Sequence, residues 1–177
     1  QRAYSLSLAA AIERGIICDY KIVVAVLTEP ELKEALRKKM TVTAAGKTVA
    51  AEEGAYYIAL AKAIAATDAR KIITFHGSVG AAKDFCELSW WKEGPLPTDY
   101  QRLHVNGGMK TANRELLMDA FREARKSVVT NARCLTEGVD VPVVDMVAFL
   151  SPKKSRIDIT QAIGRALRKI PGKTHGF

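Results

Sequence analysis

A glutamine, a glycine and two arginines lie at helical spacing near one end of the chain: Gln161, Gly164, Arg165 and Arg168. On an α-helix these positions are i, i+3, i+4 and i+7, so they form one stripe. Ile159, Ile163, Ala166, Leu167 and Ile170 form the opposite stripe, which would bury against a sheet. The spacing therefore predicts a helix from about Ile157 to Lys169 whose polar stripe faces outward as a unit. Two guanidiniums a turn apart suit a shared anion, because arginine offers rigid, fork-like donors to phosphate oxygens. The glycine next to them, Gly164, lets such an anion approach closely. The same pattern also describes a solvated basic helix face, and spacing alone does not separate the two.

Upstream lies a polar segment from Thr130 and Asn131 through Arg133, Thr136, Glu137, Gly138 and Asp140 to Pro142. It begins where an apolar run ends. In open parallel sheets the ligand crevice lies beyond the carboxyl ends of the strands, so this loop is placed for function. A glycine and a carboxylate there can approach and hydrogen-bond a ribose hydroxyl. A polar turn stopped by Pro142 is the plainer reading.

Other residues invite chemistry that their surroundings do not support. Gly-Lys-Thr occurs at Gly46-Lys47-Thr48 and at Gly172-Lys173-Thr174, but a phosphate-binding loop needs a further glycine upstream and a strand feeding it. Thr41 and Leu167 occupy the positions that glycine would take, and no buried strand precedes either copy. His76, His104 and His175 have neither ligand spacing nor a paired carboxylate. Cys18, Cys86 and Cys134 are odd in number and far apart, as expected of ordinary reduced thiols, and no residue is read as a metal ligand. Trp90 and Trp91, adjacent at the end of an amphipathic helix, are read as packing residues.

The elements that must hold these residues follow from periodicity. Four continuous apolar runs, Ile22 to Leu27, Lys71 to Phe75, Lys126 to Thr130 and Met146 to Leu150, read as strands buried on both faces, with Arg102 to Val105 a weaker fifth. Helical patterns lie between them. Tyr57, Leu60, Ala61 and Ile64 recur on one, Leu117, Ala120, Phe121 and Ala124 on another, and Ala81 to Trp91 make a third. Glu29 to Lys39 reads as a short charged surface helix, and Thr41 to Ala51 as a loop. Strands alternating with helices of this length predict βαβ units: an α/β domain of three layers, α/β/α, with a mainly parallel central sheet.

The 177 residues suit one domain, 48% of them hydrophobic. No uncharged apolar run approaches about 18 residues, and the amino end lacks the order of a secretion signal, so a soluble cytoplasmic protein with no membrane partner is expected. Lys and Arg outnumber Asp and Glu by 27 to 19, a net charge of +8 that mildly favours a polyanionic partner. The chain stops at His175-Gly176-Phe177, where a further strand could be starting, which suggests a fragment truncated at its carboxyl end.

In order and spacing, these pieces resemble the C-terminal RecA-like motor domain of superfamily 2 helicases. Thr130 to Pro142 resembles motif V, and Gln161 to Arg168 resembles motif VI. Lys71 to Val79, with Phe75-His76-Gly77-Ser78, looks like motif IV. Asn106-Gly107-Gly108-Met109, followed by Arg114 and Phe121, resembles the stretch that precedes motif V. The opening, from Tyr4-Ser5 through Gly15 to Asp19-Tyr20, is similar to the connector that enters this domain in helicases related to restriction-enzyme motors. On that reading residues 1–28 are connector and first strand, and residues 29–177 are the RecA-like, P-loop-type domain.

The resemblance implies roles for particular residues. Arg168 matches the arginine finger that reaches across a cleft to the γ-phosphate of ATP; Arg165 would contact the same phosphates, and Gln161 would sit near the attacking water. Gly138, Asp140 and Gly164 would touch the nucleotide, Asp140 at the ribose. Ser78, Thr130, Gly107 and Asn131 would meet nucleic acid. ATP and Mg²⁺ would be held mainly by an N-terminal RecA-like domain of the same parent chain, because no Walker A or Asp-Glu motif is present here, and the fragment alone would be inactive. Gln161 stands where the RNA-helicase subclass has histidine, which favours DNA over RNA. The alternatives are a motor-subunit fragment of a type I or III restriction enzyme and a non-catalytic nucleic-acid-binding domain of the same fold.

Overall fold

Strand formation in this chain follows burial. The computed structural model describes residues 6–30, 33, 51–88, 90–93, 95–132, 134–135, 144–152 and 155–177. Lys71–Phe75 (β2) and Ser127–Asn131 (β4) are buried at every position, as apolar runs covered on both faces must be. Gln101–His104 (β3) and Met146–Phe149 (β5) flank them, giving a parallel sheet of order β3-β4-β2-β5. Asp19–Tyr20 (β1) and His175–Gly176 (β6) form a separate parallel pair. Phe177 joins that pair to the sheet edge: its N–H donates to the Asp145 carbonyl, and its own carbonyl accepts from Val147 N–H.

Leu8–Glu13 (α1) precedes β1, and further helices follow it. Ala51–Thr67 (α2), Val79–Glu87 (α3) and Trp90–Glu93 (α4) lie on one face, where Tyr57, Leu60, Phe85 and Trp91 pack with Ile72 and Val128. Thr111–Glu123 (α5) and Arg156–Ala166 (α6) cover the other, where Met118, Phe121 and Ala162 pack with Ile73, Phe75 and Val129. Alternate residues of β2 and β4 thus enter opposite cores, and the domain has the expected three layers.

Three expectations need correction. The run from Ile22 to Leu27 is not a strand. Ile22, Val24 and Val26 are 78%, 77% and 71% exposed, while Val23 and Ala25 line an apolar cavity of about 670 Å³. Beyond the Lys21 N–H, which donates to the Gly176 carbonyl, the segment has no ladder partner among the described residues. The helix expected over Ala81 to Trp91 is two, broken at Leu88, whose extended backbone (ψ 132°) ends α3. The C-terminal helix ends at Ala166, so Arg168 lies beyond it. Of the surface helix expected from Glu29 to Lys39, the described residues Glu29, Pro30 and Lys33 are helical, and Glu29 pairs with Lys33 at 2.5 Å. The loop expected over Thr41 to Ala51 lies outside the described residues, except for Ala51, which opens α2.

Candidate functional site

Helix α6 is started by Ser155, whose hydroxyl accepts from the Asp158 N–H at 3.2 Å, with Asp158 in the first turn where the helix dipole favours an anion. It is held to the sheet by Ala162 and Ala166, both in the core that contains Phe75 and Val129. Gln161 and Gly164 are exposed, and a side chain added at Gly164 would meet nothing within 4 Å. Arg165 is not outward-facing as the spacing predicts; it is only 7% exposed. At about 100° per residue Arg165 falls at the edge of the arc that Ala162 and Ala166 bury, so the helix rolls it inward.

Arg168 is exposed, and its backbone rather than a helix positions it. It forms an antiparallel bridge with Ile17, and the neighbouring Cys18 N–H donates to the Leu167 carbonyl at 2.9 Å. The turn after α1 makes this return possible: Gly15 has φ +67°, a conformation that favours glycine, and Lys169 Nζ donates to its carbonyl. The segment between α1 and β1 therefore fixes the backbone that carries Arg168.

The other candidates collect at the carboxyl ends of the strands. Ser78 follows β2, caps α3 and accepts from the Ala81 N–H at 3.1 Å. Gly107 follows β3 in an exposed turn, with open space where a side chain would be. Thr130 and Asn131, at the end of β4, are fully buried and engaged within the protein. Asn131 donates to the Thr74 carbonyl and accepts from the Leu135 N–H, closing the turn after β4. Thr130 Oγ1 lies 3.0 Å from His104 Nδ1. Gly138 and Asp140 lie outside the described residues.

Arg168 and the strand-end residues are therefore apart. Phe177 sits between Asp145 and Val147 in the parallel ladder, so β6 and β1 begin upstream of β5, and Arg168 pairs upstream still, at Ile17. Ser78 and Gly107 lie past the opposite ends of the strands.

The spacing of residues did not reveal a polar network at the carboxyl edge. His104 and Thr130 are partners in the β3–β4 register. Asn106 Nδ2 lies 3.3 Å from His104 Nε2, and Asn106 Oδ1 accepts from the Gly108 N–H at 3.0 Å. His76, after β2, is 2% exposed, bonds Thr74 and has its pKa pushed down to about 4 by burial and, secondly, by His104. Burial is also the largest influence lowering the pKa of His104, and Lys83 adds to it. Strand register and two-residue offsets would have been the signals, and register is not readable from one sequence.

The second Gly-Lys-Thr is structural. Lys173 Nζ donates to the carbonyls of Val144 and Ala166 and so ties the end of α6 to the sheet. The three cysteines are free thiols, and Trp91 packs as expected, donating from its indole to the Phe85 carbonyl at 3.0 Å. No cluster among the described residues suits a metal, and no described helix is long and apolar enough to cross a membrane.

Comparison with known proteins agrees with this fold. Residues 55–169 match the family model of the helicase conserved C-terminal domain. The chain is 33% identical over 85 residues to a putative ATP-dependent helicase, IRC3, of Saccharomyces cerevisiae, covering 48% of this chain and 12% of that protein. It is 33% identical over 75 residues to UvrABC system protein B of Bacteroides thetaiotaomicron, covering 40% of this chain and 11% of that protein. The chain thus spans about a tenth of the curated relatives it matches. Among solved structures, the Type ISP restriction-modification enzyme LlaBIII bound to DNA superposes with a TM-score of 0.72 at 28% identity, over 94% of this chain and 12% of that one. Domain 2 of the DEAD-box helicase Mss116p, at 22% identity and a TM-score of 0.55 over 71% of this chain and 47% of its own, shares the fold. With a parallel RecA-like sheet and a family match over most of its length, the chain belongs to the helicase conserved C-terminal domain family of superfamily 2.

Proposed function

We propose that this chain is the second motor domain of an ATP-driven nucleic-acid translocase, and that it completes an ATP site whose phosphate cradle lies on another domain. The observation that carries the reading is the end of α6. Gln161, Gly164 and Arg168 are all exposed, the space over Gly164 is open, and Arg165, next to Gly164 in the chain, is buried. That surface fits a polyphosphate approached from outside: the open glycine admits it, and guanidiniums suit its oxygens. Bound ATP with Mg²⁺ would supply the phosphoryl group and the metal charge. Arg168 would then stabilise negative charge that develops as the γ-phosphoryl transfers, Arg165 would orient the same oxygens, and Gln161 would place the attacking water. Asp140 and Gly138 are proposed at the ribose.

Ser78 and Gly107, at the other ends of the strands, are proposed to meet the nucleic-acid backbone, the former through the amides that open α3. Thr130 and Asn131, being buried, would act by shaping that edge. DNA is the proposed track, supported by the likeness to a restriction enzyme whose structure holds DNA and by the excess of 27 basic over 19 acidic residues. The test is Arg168→Ala in the longer protein. ATP turnover should fall by about 10³-fold or more while ATP affinity stays within about threefold, because the finger acts in the transition state. Unaltered turnover would remove Arg168 from this role.

A further inference from the structure

We propose that His104 and Asn106 form a proton-sensitive latch that holds the Gly107–Gly108 turn in the orientation that grips nucleic acid. The proposal rests on the reading above that this turn meets the phosphate backbone.

The hydrogen-bond directions follow from donor and acceptor chemistry. Asn106 Oδ1 accepts from the Gly108 N–H at 3.0 Å, so its amide nitrogen is the atom facing His104 Nε2 at 3.3 Å. An amide nitrogen only donates, and therefore Nε2 must accept. The imidazole proton then sits on Nδ1, which donates to the Thr130 hydroxyl at 3.0 Å. Every member of the chain Gly108–Asn106–His104–Thr130 is satisfied in one way only, with the imidazole neutral.

A second proton has no place in this arrangement. On Nε2 it would face the two amide hydrogens of Asn106, donor against donor. Turning the amide over would satisfy Nε2 but present the amide nitrogen to the Gly108 N–H, which moves the conflict to the turn. Protonation of His104 thus sets the Asn106 amide against either the ring or the Gly108 N–H. The backbone bond from the Met109 N–H to the Asn106 carbonyl at 3.3 Å closes the turn without engaging the Gly108 N–H, and the space at Gly107 is open.

The surroundings favour the neutral ring. Burial lowers the His104 pKa most, and Lys83 of α3 lowers it further; Glu87 of the same helix and a bond at Thr130 oppose them. His76, just after β2, is influenced by the charge of His104, and Cys86 of α3 bonds Thr130. Arg102, on β3, donates to the Cys86 carbonyl.

The sign of the predicted effect separates the latch from simple charge. An extra proton on a DNA-binding surface strengthens binding to phosphate. The latch requires acidification to weaken it.

The test uses the 177-residue chain and a fluorescein-labelled single-stranded oligodeoxynucleotide, at constant ionic strength, between about pH 5 and 7.5. Two quantities are followed: the Gly108 amide chemical shift by NMR, and the dissociation constant by anisotropy. In the parent chain the Gly108 resonance should titrate with a midpoint below the ordinary histidine value, and affinity should fall several-fold, toward about tenfold, over the same interval. His104→Gln keeps a partner for Asn106 but cannot titrate, so it should flatten both curves. In Asn106→Asp a protonated ring gains a carboxylate partner that still accepts from Gly108, so acidification should hold the turn and the Gly108 shift should move in the opposite direction. Neither residue belongs to the two core clusters, so both variants should stay folded, as circular dichroism will show. A Gly108 shift that does not titrate, or that titrates equally in His104→Gln, overturns the latch. A normal Gly108 titration with affinity unchanged or tighter overturns instead the reading of the turn as a nucleic-acid contact, and the latch's role with it.

Discussion

At the scale of single residues, burial decides what each polar group can do. His76 has less than a twentieth of its surface exposed and is held neutral, its pKa near 4 against about 6.5 in an unfolded chain. Above pH 6.5 both states are neutral and His76 makes no difference to stability. As pH falls below 6.5 the unfolded chain takes up a proton that the folded chain refuses, so stability declines until pH reaches about 4, by roughly 3 kcal/mol in all. Urea melts should show that loss over this window, and His76→Phe should remove the histidine share of it; an unchanged pH dependence in that variant would mean other groups carry the loss. The same rule explains how much of the α6 site was legible. Gln161, Gly164 and Arg168 are exposed as their spacing predicts, but Arg165 falls at the boundary of the buried arc, and a boundary position is settled by which neighbours the helix meets. Thr130 belongs to the motif that the sequence displays, yet its hydroxyl is spoken for by His104, a partner brought in by strand register.

At the scale of elements, two lysines hold helix ends that the alternation of strands and helices could not foretell. Lys71, the first residue of β2, reaches the carbonyls of Phe121, Arg122 and Ala124 at the end of α5, and burial lowers its pKa. Lys173 does the same for α6 through Ala166. Cations satisfy the orphan carbonyls and oppose the negative end of the dipole. The strands themselves were legible where they are covered: β2 and β4 are continuous apolar runs because sheet neighbours and helices cover them, and β5, at the edge of the sheet order, is backed by the Phe177 backbone. The run from Ile22 to Leu27 has the same composition but lies past the last ladder pair, so composition alone misplaced it. The end of α6 also meets β6 at Gly176, where an added Cβ would stand 2.2 Å from the Ala166 carbonyl oxygen and 2.8 Å from its carbon. Both are backbone atoms, which cannot swing aside. Gly176→Ala should therefore destabilise the domain by about 1–3 kcal/mol, the range for overpacking. An unshifted urea midpoint would show that α6 and β6 can part without cost.

At the scale of the whole molecule, the domain carries two candidate surfaces toward opposite ends of one sheet, Arg168 beside the entry to β1 and the open turns past β2 and β3. Such a body can couple ligands without changing internally, since closure about one end displaces the other. It also separates what the chain can do alone from what it cannot. Nucleic-acid binding needs only charge and open backbone, which this chain has, with a net charge of +8. If it neutralises about 4 phosphates of a single strand, the logarithm of its affinity should fall with the logarithm of salt at a slope near −3, and raising salt from about 50 to 200 mM should weaken binding roughly 50-fold. Phosphoryl transfer, in contrast, needs a cradle for the β- and γ-phosphates and a metal site, and both false Gly-Lys-Thr sequences lack the upstream glycine that a cradle requires. The isolated chain should thus bind an oligonucleotide with steep salt dependence and hydrolyse no ATP, with or without that oligonucleotide. Turnover that survives rigorous purification and is lost in Arg168→Ala would place a complete ATP site within these 177 residues. Binding that is insensitive to salt would mean that something other than phosphate holds the strand.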